Sequence, residues 1–174
     1  VPIQLPYVVD HEFVGIIDLI KMKLATWDDD SLGSTYELNE IPENLKAEAE
    51  AAREALLESI ADFDEELMEL YLDGKEVSEE KIHKAIRAAT INLSIVPVLL
   101  GTAFKNKGVQ ILLDAVVEYM PSPIDLPDTE GVNPDTEEAD SRAPNDDEPF
   151  SALAFKIMTD PFVGQLTYLR VYSG

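Results

Sequence analysis

The chain has 174 residues, 45% of them hydrophobic, enough to build a domain of ordinary size around a core. Its formal net charge of −22, from 35 acidic and 13 basic residues, disfavours contact with nucleic-acid phosphates and makes a basic protein the electrostatic complement. The absence of cysteine excludes disulfides and thiolate chemistry and fits a reducing compartment such as the cytoplasm. The N-terminal VPIQLPYVVDHEF has no basic flank and does not read as a signal peptide. No stretch reaches the ~18 apolar residues of a membrane span.

Residues 1–27 read as strands. Ile3, Leu5, Tyr7 and Val9 alternate, Gly15 to Ile20 is mostly apolar, and Met22, Leu24 and Thr26 alternate again. Pro2 and Pro6 place the first strand at an edge or interrupt it. Residues 28–33 form a loop, and 34–41 are expected to hold one more strand. From 43 the pattern turns helical. Leu45, Ala49, Ala52, Leu56, Ile60 and Phe63 share one face. A second helix over 64–72 ends at Asp73-Gly74, and a third starts after Ser78 as N-cap, with Ile82, Ile86 and Ala89 inward. Residues 95–100 are expected to form a strand, at an edge because of Pro97, and 107–120 a helix. That helix should bury Val109, Leu112, Leu113, Val116, Val117 and Met120. Residues 124–149 carry 10 acidic residues, one Arg and four Pro, the composition of a linker. A final pair of strands spans 150–158 and 165–172, turning at Asp160-Pro161. Two strands alone are marginal in water. The chain starts inside a strand-like pattern and stops before that last sheet is complete, which is the expectation for a piece of something larger.

Most chemical motifs are incomplete. No G-x-x-x-x-G-K-[ST] phosphate cradle occurs. Asn106-Lys107-Gly108-Val109 has Val109 where a guanine-reading Asn-Lys-x-Asp needs its carboxylate. Asp28, Asp30 and Gly33 fit the opening of a calcium loop, but Leu32 and Asn39 occupy later ligand positions, so an acidic turn is expected. His11 and His83 lack a zinc-binding context. Residues 43–80 hold 14 acidic and three basic residues, and Glu50, Glu54 and Glu58 repeat every fourth position. That stripe is either a solvated helix face or a docking surface for a basic partner. The apolar run 95–100 delivers the chain to Gly101, and the next amides, Thr102 and Ala103, are placed to meet a ligand off the strand's carboxyl end.

The run VLLGTAFKNKGVQILLDAVVEYMPSPID resembles the last strand and helix of the GTPase domain in the translation elongation factor G family, with Thr102 where that family's G-S-A-F-K-N-K-G-V-Q motif has Ser. DDEPFSALAFKIMTDPFVGQLTYLRVYSG resembles the opening of the same family's second domain, a β-barrel. FVGIIDLIKMKLATW and FDEELMELYLDGKEVSEE resemble the insert in its GTPase domain. The resemblance implies an α/β fold in four parts. These are the insert with its flanking strands over 1–94, the terminal strand and helix of a P-loop GTPase-like sheet over 95–123, an acidic linker over 124–149, and the first strands of a barrel over 150–174.

It also implies a parent protein that hydrolyses GTP with magnesium while moving tRNA and mRNA through the ribosome. Gly101, Thr102, Ala103 and Phe104 match the loop that backs the guanine base, with Lys105 completing the motif. The insert is similar to a surface that meets the stalk protein of the large ribosomal subunit, and residues 44–63 are its matching helix. Glu50, Glu54 and Glu58 are the expected contacts, chosen from the helical stripe. The phosphate and metal ligands of that family have no counterpart here. The expectation is therefore a catalytically inactive segment that binds no nucleotide tightly. The alternatives are a stand-alone acidic interaction module and a paralogous ribosome-recycling GTPase.

Overall fold

A computed structural model describes residues 1–28 and 32–174. The calcium-like pattern falls partly outside them, because Asp30 is not among the described residues. The protein is mixed α/β and divides into two compact units, Val1–Met120 and Pro121–Gly174.

The first unit opens with a four-stranded antiparallel meander, β1 (Gln4–Val9), β2 (Glu12–Asp18), β3 (Lys23–Trp27) and β4 (Tyr36–Asn39), ordered β1-β2-β3-β4. Alternation along β2 sends Ile17 to one face and Ile16 to the other, and both are buried. That is why β2 reads as a continuous apolar run. The Ile17 face carries the larger core with Leu24, and helices α1 (Glu43–Ala61), α2 (Glu65–Leu72) and α3 (Glu79–Ile91) pack against it through Leu56, Ile60, Leu67, Ile82 and Ile86. The Ile16 face holds Ala25 and Trp27.

Helix boundaries follow local chemistry. The Asp64 side chain accepts from the Leu67 N–H at 2.9 Å and starts α2, and the Ser78 hydroxyl accepts from the Lys81 N–H at 3.4 Å and starts α3. Gly74, at φ +64°, turns the chain out of α2. Arg53 of α1 donates to the Leu19 and Ile20 carbonyls at 2.6 and 2.5 Å and to Val77 O at 3.4 Å, tying the helix to two turns.

Residues 95–100 are not a strand. A single parallel bridge joins Val98 to Pro2, through Val98 N–H to Val1 O at 2.9 Å and Ile3 N–H to Val98 O at 3.2 Å. Pro97 has no N–H to extend the ladder. One step on, the side chain of buried Gln4 takes over, its Oε1 accepting from the Leu100 N–H at 2.9 Å.

Helix α4 (Val109–Tyr119) forms where expected but packs on a different face. Ala115 and Tyr119 are buried, and Ile111 packs beside Trp27. Leu112, Leu113, Val116, Val117 and Met120 are exposed. The helix carries more apolar residues than one stripe, so periodicity alone does not select the contact side. The i, i+4, i+8 set 111, 115 and 119 makes the contact.

In the second unit, the segment read as a linker contains a hairpin, β5 (Thr129–Val132) with β6 (Ala139–Arg142). Composition misses it because its stability is local. The Asn133 side chain accepts from the Asp135 and Thr136 N–H groups at 2.9 and 3.3 Å and folds the turn. Strands β7 (Ser151–Asp160) and β8 (Gly164–Ser173) pair antiparallel around a turn in which Asp160 Oδ1 accepts from the Phe162 and Val163 N–H groups. Leu153, Phe155 and Ile157 are exposed on this ribbon.

Replacing Asp64 tests the capping account. The Leu67 amide bond, aided by Lys81, holds the Asp64 carboxyl below its ordinary range. Its stabilisation is therefore complete above the unfolded carboxylate's pKa of about 3.9 and fades as pH falls through the lower folded value. Asp64→Ala is expected to cost about 1 kcal/mol in urea unfolding at pH 7 and less below pH 3. An equal cost at both pH values would exclude the carboxylate as the cap.

Candidate base-side loop and acidic face

The loop following residues 95–100 closes on itself. Thr102 N–H donates to Lys107 O at 2.9 Å and Lys107 N–H donates to Thr102 O at 3.2 Å. Between them Ala103–Lys105 form a 3₁₀ turn, ended by Asn106 in the left-handed region at φ +52°. The closure corrects one expectation: the Thr102 amide is engaged within the loop and does not face a ligand. The Ala103 amide opens the 3₁₀ turn, where a helical amide has no intrahelical partner. The closure also gives Gly101 a structural role. A Cβ there would sit 2.9 Å from Lys107 O, and one on Gly108, at φ +88°, would sit 2.7 Å from Leu100 O. Phe104 is fully exposed.

Three contacts hold the loop in place. Gly33 lies so near it that a Cβ would be 2.6 Å from Asn106 O and 2.8 Å from Lys105 O. Asn106 Nδ2 donates to Leu32 O at 3.2 Å, and Lys105 pairs with Glu12 at 2.9 Å. Gln110, in the first turn of α4, donates to Gly33 O at 2.8 Å and Ser34 O at 3.2 Å while its Oε1 accepts from Trp27 Nε1 at 3.3 Å. Gln110 was not among the expected site residues. Its only signal in the sequence is a long amide placed early in an otherwise apolar helix.

A cleft of about 210 Å³ lies beside the loop, lined by Leu100, Gly101, Thr102, Ala103, Gly108 and Leu112 among others, and mostly apolar. A complete small-molecule site measures roughly 300–1,000 Å³, so this cleft has room for one flat group rather than a whole nucleotide. Among the described residues, no group of three or more His, Cys, Asp or Glu is arranged to hold a metal. No helix among them is long and apolar enough to cross a membrane.

Glu50, Glu54 and Glu58 lie exposed along α1. The buried side of the same helix is Ala49, Leu56, Ile60 and Ala61, so the stripe and the core contact occupy different faces. The nearest basic relief in α1 is Lys46, paired with Glu43 at 2.6 Å, and Arg53, bound to backbone carbonyls.

No family model matches the chain. A crystal structure of a protein from Thermus thermophilus is similar to it, with a TM-score of 0.72 and 30% sequence identity over 99% of this chain and 23% of the other. The chain thus spans less than a quarter of the length of that protein.

The loop geometry predicts the effect of one methyl group. Gly108→Ala combines a positive φ with a backbone clash and is expected to cost about 1–3 kcal/mol in urea unfolding while shifting the NMR signals of residues 101–107. A variant as stable as the parent, with unmoved signals, would show that the loop is not closed in this way.

Proposed function

We propose that the chain is a portion of a cytoplasmic translational GTPase of the elongation factor G type. In this reading it supplies the base-side wall of the guanine site and an acidic face for the ribosomal stalk protein. The carrying observation is the 102–107 loop, which spends the Thr102 amide on closure and leaves Ala103, at the start of a 3₁₀ turn, lining a cleft of about 210 Å³. The ordered resemblance of the sequence to that family supports the reading.

The nucleotide fits this chain in part. Gly101, Thr102, Ala103 and Phe104 would border the base, with the Ala103 N–H as donor and the small residues allowing close approach. Bound GTP with magnesium would supply the phosphoryl chemistry, and no residue here is assigned to its phosphates or metal. The chain alone is expected to turn over no GTP. On α1, the Glu50, Glu54 and Glu58 carboxylates would attract a basic stalk surface and act more on association rate than on final affinity.

Nucleotide and stalk titrations followed by amide NMR test the two halves separately. GDP is expected to move the Ala103 and Phe104 signals and ADP to leave them, with half-saturation weaker than about 1 mM. Submillimolar binding, or equal response to both nucleotides, would contradict the base-side assignment. Stalk protein is expected to move α1 signals, less so in high salt, and Glu50→Gln, Glu54→Gln and Glu58→Gln together should slow association. Unmoved α1 signals would remove the docking role. The exposure of the Glu stripe also favours a second reading, a stand-alone acidic module. A response of α1 to stalk protein with a loop indifferent to guanine would select it. A recycling paralogue makes the same contacts and is separated from a translocase by ribosome assays on the intact protein.

A further inference from the structure

A separate cluster of ionisable groups lies where α3 meets α4. Tyr119 is 3% exposed and stacks on the His83 ring, with centroids 5.8 Å apart and planes 19° from parallel. Its hydroxyl lies 2.6 Å from His83 Nδ1, and the same nitrogen lies 3.2 Å from Glu118 Oε2. One ring nitrogen therefore faces a hydroxyl and a carboxylate together. A cavity of about 50 Å³, with room for an ordered water, adjoins them. Facing it are Asp18 at the end of β2, Lys21 in the following turn, Tyr36 of β4, and Asp114 of α4. From α3 itself, Arg87 donates to the Glu118 and Met120 carbonyls at 2.7 and 3.3 Å.

We infer that His83 is a two-state hydrogen-bond switch in the α3–α4 seam: proton uptake at Nδ1 ends its acceptance of the Tyr119 O–H and recruits the Glu118 carboxylate as counter-ion. In the neutral state the ring proton sits on Nε2, and the Nδ1 lone pair accepts the Tyr119 O–H. One proton from solvent, added at Nδ1, leaves the ring with two donors and no acceptor. Nδ1–H then donates to Glu118 Oε2, and the Tyr119 O–H rotates toward the Glu118 carboxylate or the cavity water. Tyr119 keeps its own proton throughout. Burial first, then the nearby Glu118 and Asp18 charges and a hydrogen bond with the Glu118 carboxylate already within its reach, push its phenol well above the ordinary range. The seam is thus held by different donors in the two protonation states of the ring. This inference is independent of the proposed function.

Ring-¹⁵N histidine NMR of the full chain reads the switch directly, with exposed His11 as internal reference. At pH 8, His83 is expected to show an unprotonated Nδ1 and a protonated Nε2. Lowering the pH to 5 should protonate Nδ1 and move the Tyr119 ring signals at the same midpoint. Tyr119→Phe should let the Nδ1–H tautomer appear in His83 at pH 8 and leave His11 unchanged. Glu118→Gln should keep the pH 8 tautomer and reduce the Tyr119 response at least twofold. A predominantly Nδ1-protonated His83 at pH 8, or Tyr119 signals that ignore the His83 transition, would overturn the inference. If Tyr119→Phe does not fold, the wild-type tautomer and the Tyr119 titration decide alone.

Discussion

Two backbone hydrogen bonds between Thr102 and Lys107 decide what the surrounding residues can do. Closing six residues into so tight a loop requires Gly101 and Gly108 to approach without side chains, and it leaves a 3₁₀ turn projecting between the paired ends. It also sets where α4 begins, since Gly108 is that helix's N-cap. The loop, the helix start and the cleft therefore share the same backbone pair and glycines. The Thr102 side chain plays no part in that pair, which uses only main-chain atoms.

Side-chain amides connect this feature to the sheet. Gln4 replaces a ladder bond that Pro97 and the short bridge do not provide, and Gln110 links α4 to Trp27 and to the chain at Gly33 and Ser34. Both amides are held by backbone or indole groups, in keeping with the rule that buried polar atoms find partners. Among the described residues, no buried side-chain polar atom is left without one. The acidic layer lies elsewhere: α1 turns Leu56 and Ile60 to the core and its Glu stripe to water. Like charges four residues apart cost a few tenths of a kcal/mol per pair. An Ala- and Leu-rich helix seated on a core tolerates that cost, so helix formation alone does not explain the stripe.

The strands of the first unit and the Ser78 cap were legible because their causes are local: an apolar run or alternation marks a strand, and Ser78 bonds an amide three residues away. Asp64 caps α2 in the same way, although the residue pattern places it inside that helix. The packing side of α4 was not legible, because a helix with apolar residues around most of its circumference gives periodicity no single answer. The β5–β6 hairpin was hidden by an acidic composition, its turn held by local bonds of the Asn133 and Thr136 side chains. In the candidate site, the sequence marked Gly101, Thr102, Ala103 and Phe104 as a loop off an extended segment. It could not show that Thr102 bonds across the loop, since that pairing depends on Asn106 and Gly108 taking positive φ. Gln110 escaped for the same reason: its partners come from segments about 80 residues away.

Amide hydrogen exchange resolved by residue addresses the central claim most directly. Slow exchange at Thr102 and Lys107, with fast exchange at Ala103, is the pattern a loop closed by the Thr102–Lys107 pair must give. Fast exchange at Thr102 together with protection at Ala103 would mean that the loop is arranged the other way, and the base-side assignment would fall with it.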